Sequence, residues 1–320
     1  MNMYKKNLII IFMIIMIPYC LSQSRIGRQI LDTLKDNNGT NWTYIRSNYT
    51  LIFDNYYRTS FDIIPIISIH KSNLDKFTNF NIILKNENIL EVTNIQNLIG
   101  TCAFELNADL ENNFTIQGDG KLTIKVDVGK NIFDSVGLFV LNCNLVIKEN
   151  AKIEIIMNNG EDLKGLSLTS GRLYMEDNSQ LSIYIGKNNG TSSYAIKSGV
   201  YLSGNVTINS SVQNLNENSI YLPQWLSGGV TLSNYTNATF ISNGTMEFHK
   251  NIFKYLGENP IIINAIETLD KFKESHKLTQ KDPNKPIIFS NYFTKKEEEN
   301  MNGSQFFNIS FFLLNLILFL

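Results

Sequence analysis

The side chains best spaced to do chemistry are tyrosines. Tyr174 and Tyr201 occupy equivalent places in two similar triplets, Leu173-Tyr174-Met175 and Val200-Tyr201-Leu202, with Tyr184, Tyr194, Tyr221 and Trp225 close by in sequence. A row of rings suits a saccharide, which stacks on aromatic faces, but aromatic rows also stabilise sheets on their own account, and both readings stand at this stage. Acid–base chemistry is less well supplied. Glycoside hydrolysis needs two carboxylates roughly 5 to 10 Å apart, and Asp162 with Asp177 is the candidate pair. Lyase chemistry needs a strong base beside carboxylates, and here only Arg172 with Glu176 and Asp177 offers one. His70, His249 and His276 are isolated, with no second His or Cys at metal-ligand spacing. Gly118-Asp119-Gly120 lacks the Lys and hydroxyl of a phosphate loop, and Ser227-Gly228-Gly229 is not a nucleophile elbow. No residue is assigned a catalytic or metal-binding role.

These tyrosines must be positioned by strands. Leu145-Val146-Ile147, Leu173-Tyr174-Met175, Val200-Tyr201-Leu202 and Val230-Thr231-Leu232 are apolar at their first and third places, as a strand with one buried face requires. Second strands follow at Ile153-Glu154-Ile155, Leu181-Ser182-Ile183 and Val206-Thr207-Ile208, after turn-forming residues at Glu149-Asn150, Asp177-Asn178 and Gly204-Asn205. The units recur about every 27 to 30 residues, which is the period of a solenoid, and Leu122-Thr123-Ile124 reads as an earlier member. The spacing of two disfavours helical repeats, and the Leu-x-x-Leu-x-Leu-x-x-Asn order of leucine-rich repeats is missing, leaving an all-β, right-handed parallel β-helix. Equivalent residues then stack: Leu145, Leu173, Val200 and Val230 inward, Ile147, Met175, Leu202 and Leu232 inward, and Ile155, Ile183 and Ile208 inward. Val146, Tyr174, Tyr201 and Thr231 would form one outward strip, and Glu154, Ser182 and Thr207 another.

Open ends of such a stack need caps. Ser24 to Lys35 reads as an amphipathic helix with Ser24 as N-cap, and Ala265, Ile266, Leu269 and Phe272 as a second short helix at the far end.

The runs Phe104-Glu105-Leu106-Asn107-Ala108-Asp109 and Phe114-Thr115-Ile116-Gln117-Gly118-Asp119-Gly120-Lys121-Leu122-Thr123-Ile124, followed by Gly171-Arg172-Leu173-Tyr174-Met175, carry a resemblance. Over about residues 100 to 245 the chain resembles a family of carbohydrate-binding parallel β-helix proteins, related in architecture to pectate lyases. The resemblance implies non-catalytic binding of polysaccharide, in some members with calcium. The dense acidic loops of those members are missing here, and no cofactor is otherwise called for.

The ends of the chain suggest an address. Lys5 and Lys6 precede an apolar core from Leu8 to Ile17, roughly half of the ~20 residues a membrane span needs, then Pro18, Cys20 and Ser22. Residues 1–22 therefore read as a signal peptide. At the other end Asn302-Gly303-Ser304 stands between the charged run Lys295 to Glu299 and the apolar Phe306 to Leu320, the order of a GPI-anchor signal with Asn302 as the attachment residue. Asn-x-Ser/Thr acceptors occur at Asn38, Asn41, Asn48, Asn113, Asn189, Asn205, Asn209, Asn234, Asn237 and Asn243. Cys102 and Cys143 are the cysteines left after the signal is removed, an even pair in an oxidising compartment, and a disulfide between them is expected.

The organisation expected is a signal at 1–22, an N-terminal cap and first strands at 23–99, the repeat region at 100–245, a C-terminal cap at 246–293, a linker at 294–302 and an anchor signal at 303–320. A net charge of -1 leaves no basic surplus to attract nucleic acid. Together these features suggest a glycoprotein on the extracellular face of the plasma membrane, held by its lipid anchor. It would bind carbohydrate or a host or neighbouring cell surface without catalysis, through Tyr174, Tyr201, Tyr184 and Trp225. The alternatives are a polysaccharide lyase or glycoside hydrolase of the same architecture, and a passive coat protein.

Overall fold

Alternating apolar residues, many of them β-branched, fold here into strands that each bury one side. The computed structural model describes residues 24–212 apart from 28, 62–63, 72–74, 94–99, 130–131, 133 and 187–192, and beyond 212 a set of strands ending with Ile287–Ser290; side chains are described through residue 209. The result is a β-solenoid of about five turns. Each turn has three strands. One turn comprises Cys102–Asn107, Asn113–Gly118 and Lys121–Asp127, and the next comprises Val136–Leu141, Asn144–Ile147 and Lys152–Asn158. In the two turns after that, the first and second strands run together as Lys164–Met175 and Tyr194–Leu202, followed by Gln180–Ile185 and Asn205–Val212.

Like strands pair in parallel, giving three faces. On the first, Phe104, Leu138, Leu166 and Ile196 are successive partners; on the second, Phe114, Leu145, Leu173, Val200 and Val230; on the third, Leu122, Ile153, Leu181 and Ile208. The described side chains of these columns are buried and form one continuous core. The stack also extends upstream of residue 100: Ile67–His70, Asn79–Lys85 and Glu87–Thr93 make a full turn in register with the next.

The two inward columns expected from Leu145 and from Ile147 are present as read through Val200 and Leu202, as is the outward strip Val146, Tyr174 and Tyr201, and the backbone register continues to Val230, Thr231 and Leu232. Two registers differ from expectation. Leu122 belongs to the third face beside Ile153, and the residue stacked on Leu145 is Phe114. Ile208 lies beside Leu181 instead of Ile183, so Thr207 meets Gln180, and Asn209 meets Ser182. The turns set this register. Asn205 donates its backbone N–H to Asp177 O, and Thr207 to Ser179 O, which holds the corners in step and shifts the following strand by two residues.

The N-terminal cap is built from strands, not from the expected helix over Ser24 to Lys35. Arg25–Ile26 pairs antiparallel with Ser68 and Ile67, and Gln29–Ile30 folds back on it. The Ser24 hydroxyl donates to His70 O and accepts from His70 N–H, in place of capping a helix. The physical reason is the row of backbone donors and acceptors on the edge strand, which another strand can satisfy and a helix cannot. Trp42–Ile45 likewise covers Thr50–Asp54 and turns Trp42 and Tyr44 inward, where the Tyr44 ring lies 5.8 Å from Phe80 at 8°. No α-helix occurs among the described residues. The helix expected at Ala265 to Phe272 lies outside the described residues, and Lys277–Thr279 and Ile287–Ser290 pair antiparallel onto the last strands of the stack.

Cys102 and Cys143 are not joined in a disulfide, which corrects the expected pairing. Cys102 lies opposite Val136 at the start of the paired first-face strands, whereas Cys143 follows Leu141 at their far end, where Leu141 faces Asn107. A disulfide needs Cα atoms within about 7 Å, and five strand residues alone span about 16 Å. Burial pushes the Cys143 thiol up to about 12, and its Sγ donates to Leu141 O at 3.2 Å.

One interior corner holds an unsatisfied group. Ser179 is fully buried at the place filled by Ala151 one turn earlier and Val206 one turn later, and its hydroxyl has no hydrogen-bond partner. Ser179→Ala is expected to raise stability by about 1 kcal/mol in urea denaturation. A loss of similar size would show that the hydroxyl is satisfied.

Candidate functional site

The outer strip of the second face runs Asn81, Thr115, Val146, Tyr174 and Tyr201, with one residue per turn, and Thr231 pairs with Tyr201 on the following turn. Tyr174 and Tyr201 are partly exposed and directly adjacent, with ring centroids 5.3 Å apart and planes tilted by 41°. Arg172, exposed, lies two residues before Tyr174 on the same side of the strand. The pair therefore offers two ring edges and faces beside one guanidinium on the outer strip.

The other aromatic candidates among the described residues do not join it. Tyr184 lies on the third face, between Ile156 and Ser211. Tyr194 is buried on the first face, its ring flanked by the ammonium groups of Lys164 at 5.9 Å and Lys197 at 5.5 Å. Tyr221 pairs with Lys197 on that same face, and Trp225 lies outside the described residues.

A second row runs beside the tyrosine strip. Asn113 donates its side-chain N–H to Asn79 Oδ1 at 3.0 Å, Asn144 donates to Asn113 Oδ1 at 3.0 Å, and the Arg172 backbone N–H donates to Asn144 Oδ1 at 3.1 Å. A similar row holds the corner after the second face. Asn150 donates to Asp119 Oδ1 at 2.7 Å and Asn178 to Asn150 Oδ1 at 3.2 Å. Glu149 and Asp177 accept from the backbone N–H groups of Gly118 and Glu149. The Asp177 carboxylate thus braces a turn, and Asp162 lies at the other end of Lys164–Met175, so the two carboxylates are not brought together as a hydrolytic pair.

The third face carries a shallow concavity of about 280 Å³ lined by Glu87, Lys121, Lys152, Ile153, Glu154, Gln180 and Ser182. Lys121 Nζ lies 2.7 Å from Glu154 Oε2, and the lining contains no aromatic ring. Among the described residues no three His, Cys, Asp or Glu side chains converge as a metal site.

Sequence reading missed a buried polar group on the first face. Ser68, His70 and Glu105 are all less than a tenth exposed. Ser68 Oγ hydrogen-bonds His70 Nε2 and also Glu105, its direct partner on the next turn; His70 Nε2 lies 3.8 Å from Glu105 Oε2. That separation would suit an ion pair, yet burial drives both groups toward neutrality. The Glu105 carboxyl is pushed up to about 7, with Ser68 pulling slightly the other way, and the His70 imidazole is pushed down to about 4. Polar residues inside Ile67-Ser68-Ile69-His70 and Phe104-Glu105-Leu106 were the available signal. His249 and His276 lie outside the described residues.

No protein-family model matches the chain, and comparison with curated proteins and with solved structures finds no significant similarity.

Proposed function

We propose that this chain is a secreted, glycosylated surface protein, held at the extracellular face of the plasma membrane by a GPI anchor, that binds carbohydrate without cleaving it. The observation that carries the binding reading is the Tyr174–Tyr201 pair, in register on adjacent turns at 5.3 Å and flanked by Arg172. Saccharide rings stack on such faces, and a solenoid presents the strip along its length, as a surface receptor would. The segments that support the address, residues 1–22, Asn302 and the apolar tail, lie outside the described residues and support it by sequence pattern alone. The bound surface would be a glycan of a host or neighbouring cell, and calcium has no cluster of carboxylates to favour it among the described residues.

A glycan array probed with the full ectodomain tests the reading. The native protein is expected to bind a restricted glycan class, and Tyr174→Ala with Tyr201→Ala is expected to weaken binding at least tenfold, since aromatic contacts are worth about 1 kcal/mol or more each. Unchanged binding by the double variant would remove the tyrosine strip from the site. Release of shortened oligosaccharides would make the chain an enzyme instead.

A further inference from the structure

The acceptor asparagines are unevenly placed. Among the described residues, Asn38, Asn41 and Asn48 lie in the N-terminal cap, and Asn205, Asn209 and Asn237 in the late strands Asn205–Val212 and Asn237–Ser242. Asn113 stands by itself between the two groups among the described residues, on the second face, and Asn189 lies outside them. Its surroundings also differ. Asn38 and Asn48 are exposed, whereas Asn113 is half-buried with its side chain fixed at both ends, donating to Asn79 and accepting from Asn144, each at 3.0 Å.

A pyranose joined to Asn113 Nδ2 would crowd a row whose neighbouring side chains already touch at hydrogen-bond distance. The amide would keep one N–H and its oxygen, but holding both 3.0 Å contacts would fix the sugar against side chains of neighbouring turns only ~4.8 Å apart, and turning the amide to relieve that crowding would open both bonds. The row also adjoins the binding strip: Asn113 is two residues from Thr115, roughly 7 Å along the strand, and Thr115 lies in the column of Tyr174 and Tyr201.

We infer that Asn113 is a structural rung kept free of glycan, so that the second face from Asn79 to Tyr201 is bare protein between two sugar-bearing ends. The inference rests on the secretory reading and on the hydrogen-bonded row, and the experiment has two arms to separate them.

In the first arm, folded protein secreted from a eukaryotic host is deglycosylated by peptide N-glycosidase in heavy-oxygen water and its peptides are mapped by mass spectrometry. Label is expected at Asn38 and Asn48 in most molecules, and at Asn113 in almost none. Label at Asn113 in half or more of the folded product would overturn the inference. Absence of label everywhere would count against the secretory reading alone, and the rung would then stand or fall by the second arm.

The second arm uses protein made without glycans. Asn113→Ala, which opens both hydrogen bonds, is expected to lower Tm by about 4 °C or more, whereas Thr115→Val, which destroys the acceptor motif but keeps the amide, should leave it nearly unchanged. An Asn113→Ala protein as stable as the native one would overturn the inference even if Asn113 carried no glycan.

Discussion

Gly171→Ala is expected to cost about 4 kcal/mol or more, a large share of the stability of a domain of this size, and to yield either a Tm lower by roughly 10 °C or no folded protein. A Cβ at Gly171 would sit 1.7 Å from the carbonyl oxygen of Cys143 and 2.6 Å from its carbonyl carbon. Both atoms are backbone of the preceding turn, one register step from the Asn144–Arg172 contact, so the clash cannot be relieved by a rotamer change. Relief requires separating two stacked turns, which would disturb the Leu145–Leu173 column and the asparagine row together. Gly137→Ala is the milder comparison: its Cβ would meet the Ile155 Cγ2 methyl at 2.4 Å and the Gly165 carbonyl oxygen at 2.9 Å, a much shallower backbone overlap than the 1.7 Å approach at Gly171. The expected order is therefore Gly171→Ala well below Gly137→Ala in stability, read by urea denaturation at matched protein concentration. If Gly171→Ala melts within about 2 °C of the native protein, the turns do not approach each other as described.

The same close stacking explains which parts of the fold could be read from sequence. Side chains alternate with a strict period of two, so Leu145, Leu173 and Val200 declare their faces wherever the strand begins, and the tyrosine strip followed from them. Turn length is not declared in the same way. Asn113 is 34 residues from Asn79, Asn144 is 31 from Asn113, and Arg172 is 28 from Asn144, although each pair is in contact. With the coil length drifting, Leu122-Thr123-Ile124 and Phe114-Thr115-Ile116 were equally good partners for Leu145 by pattern, and only the hydrogen-bonded corner at Gly118 and Glu149 distinguishes them.

The features that sequence did not reveal depend on three-dimensional neighbours. Cys102 and Cys143 indicate a compartment but carry no information on distance. Ser24 resembles a helix cap until the unpaired edge of Ile67–His70 is present to claim it. His70 is an isolated histidine in sequence and acquires a partner only because Glu105 arrives on the next turn, opposite Ser68.

That partnership gives the second large effect, a pH dependence whose sign reverses with the residue removed. In the unfolded chain the carboxyl ionises near 4.5 and the imidazole near 6.5, so between these values the single proton sits on histidine. In the folded site the preferences are exchanged. Glu105, raised to about 7, keeps its proton, and His70, lowered to about 4, stays neutral. A raised carboxyl alone favours the fold below pH 4.5 and loses that contribution as pH rises through 7; a lowered imidazole alone favours it above 6.5 and loses that contribution as pH falls through 4. Folded and unfolded states thus each hold one proton, and the two slopes cancel across the window. The native protein should be nearly level from pH 4.5 to 6.5 as far as this pair is concerned. Glu105→Gln leaves the imidazole uncompensated, so stability should climb with pH by up to about 1.4 kcal/mol per unit across that window. His70→Asn leaves the carboxyl uncompensated, and stability should fall with pH at a similar rate toward pH 7. The directly stacked or cross-strand neighbours Ser68, Phe139 and Asn107 bring no other ionisable group to mask the result. Urea denaturation of the three proteins at half-unit pH steps measures all three slopes. Parallel curves for the two variants would mean that the pair does not exchange its proton on folding, whereas slopes of opposite sign would place a single shared proton on Glu105, beneath the first face of the stack.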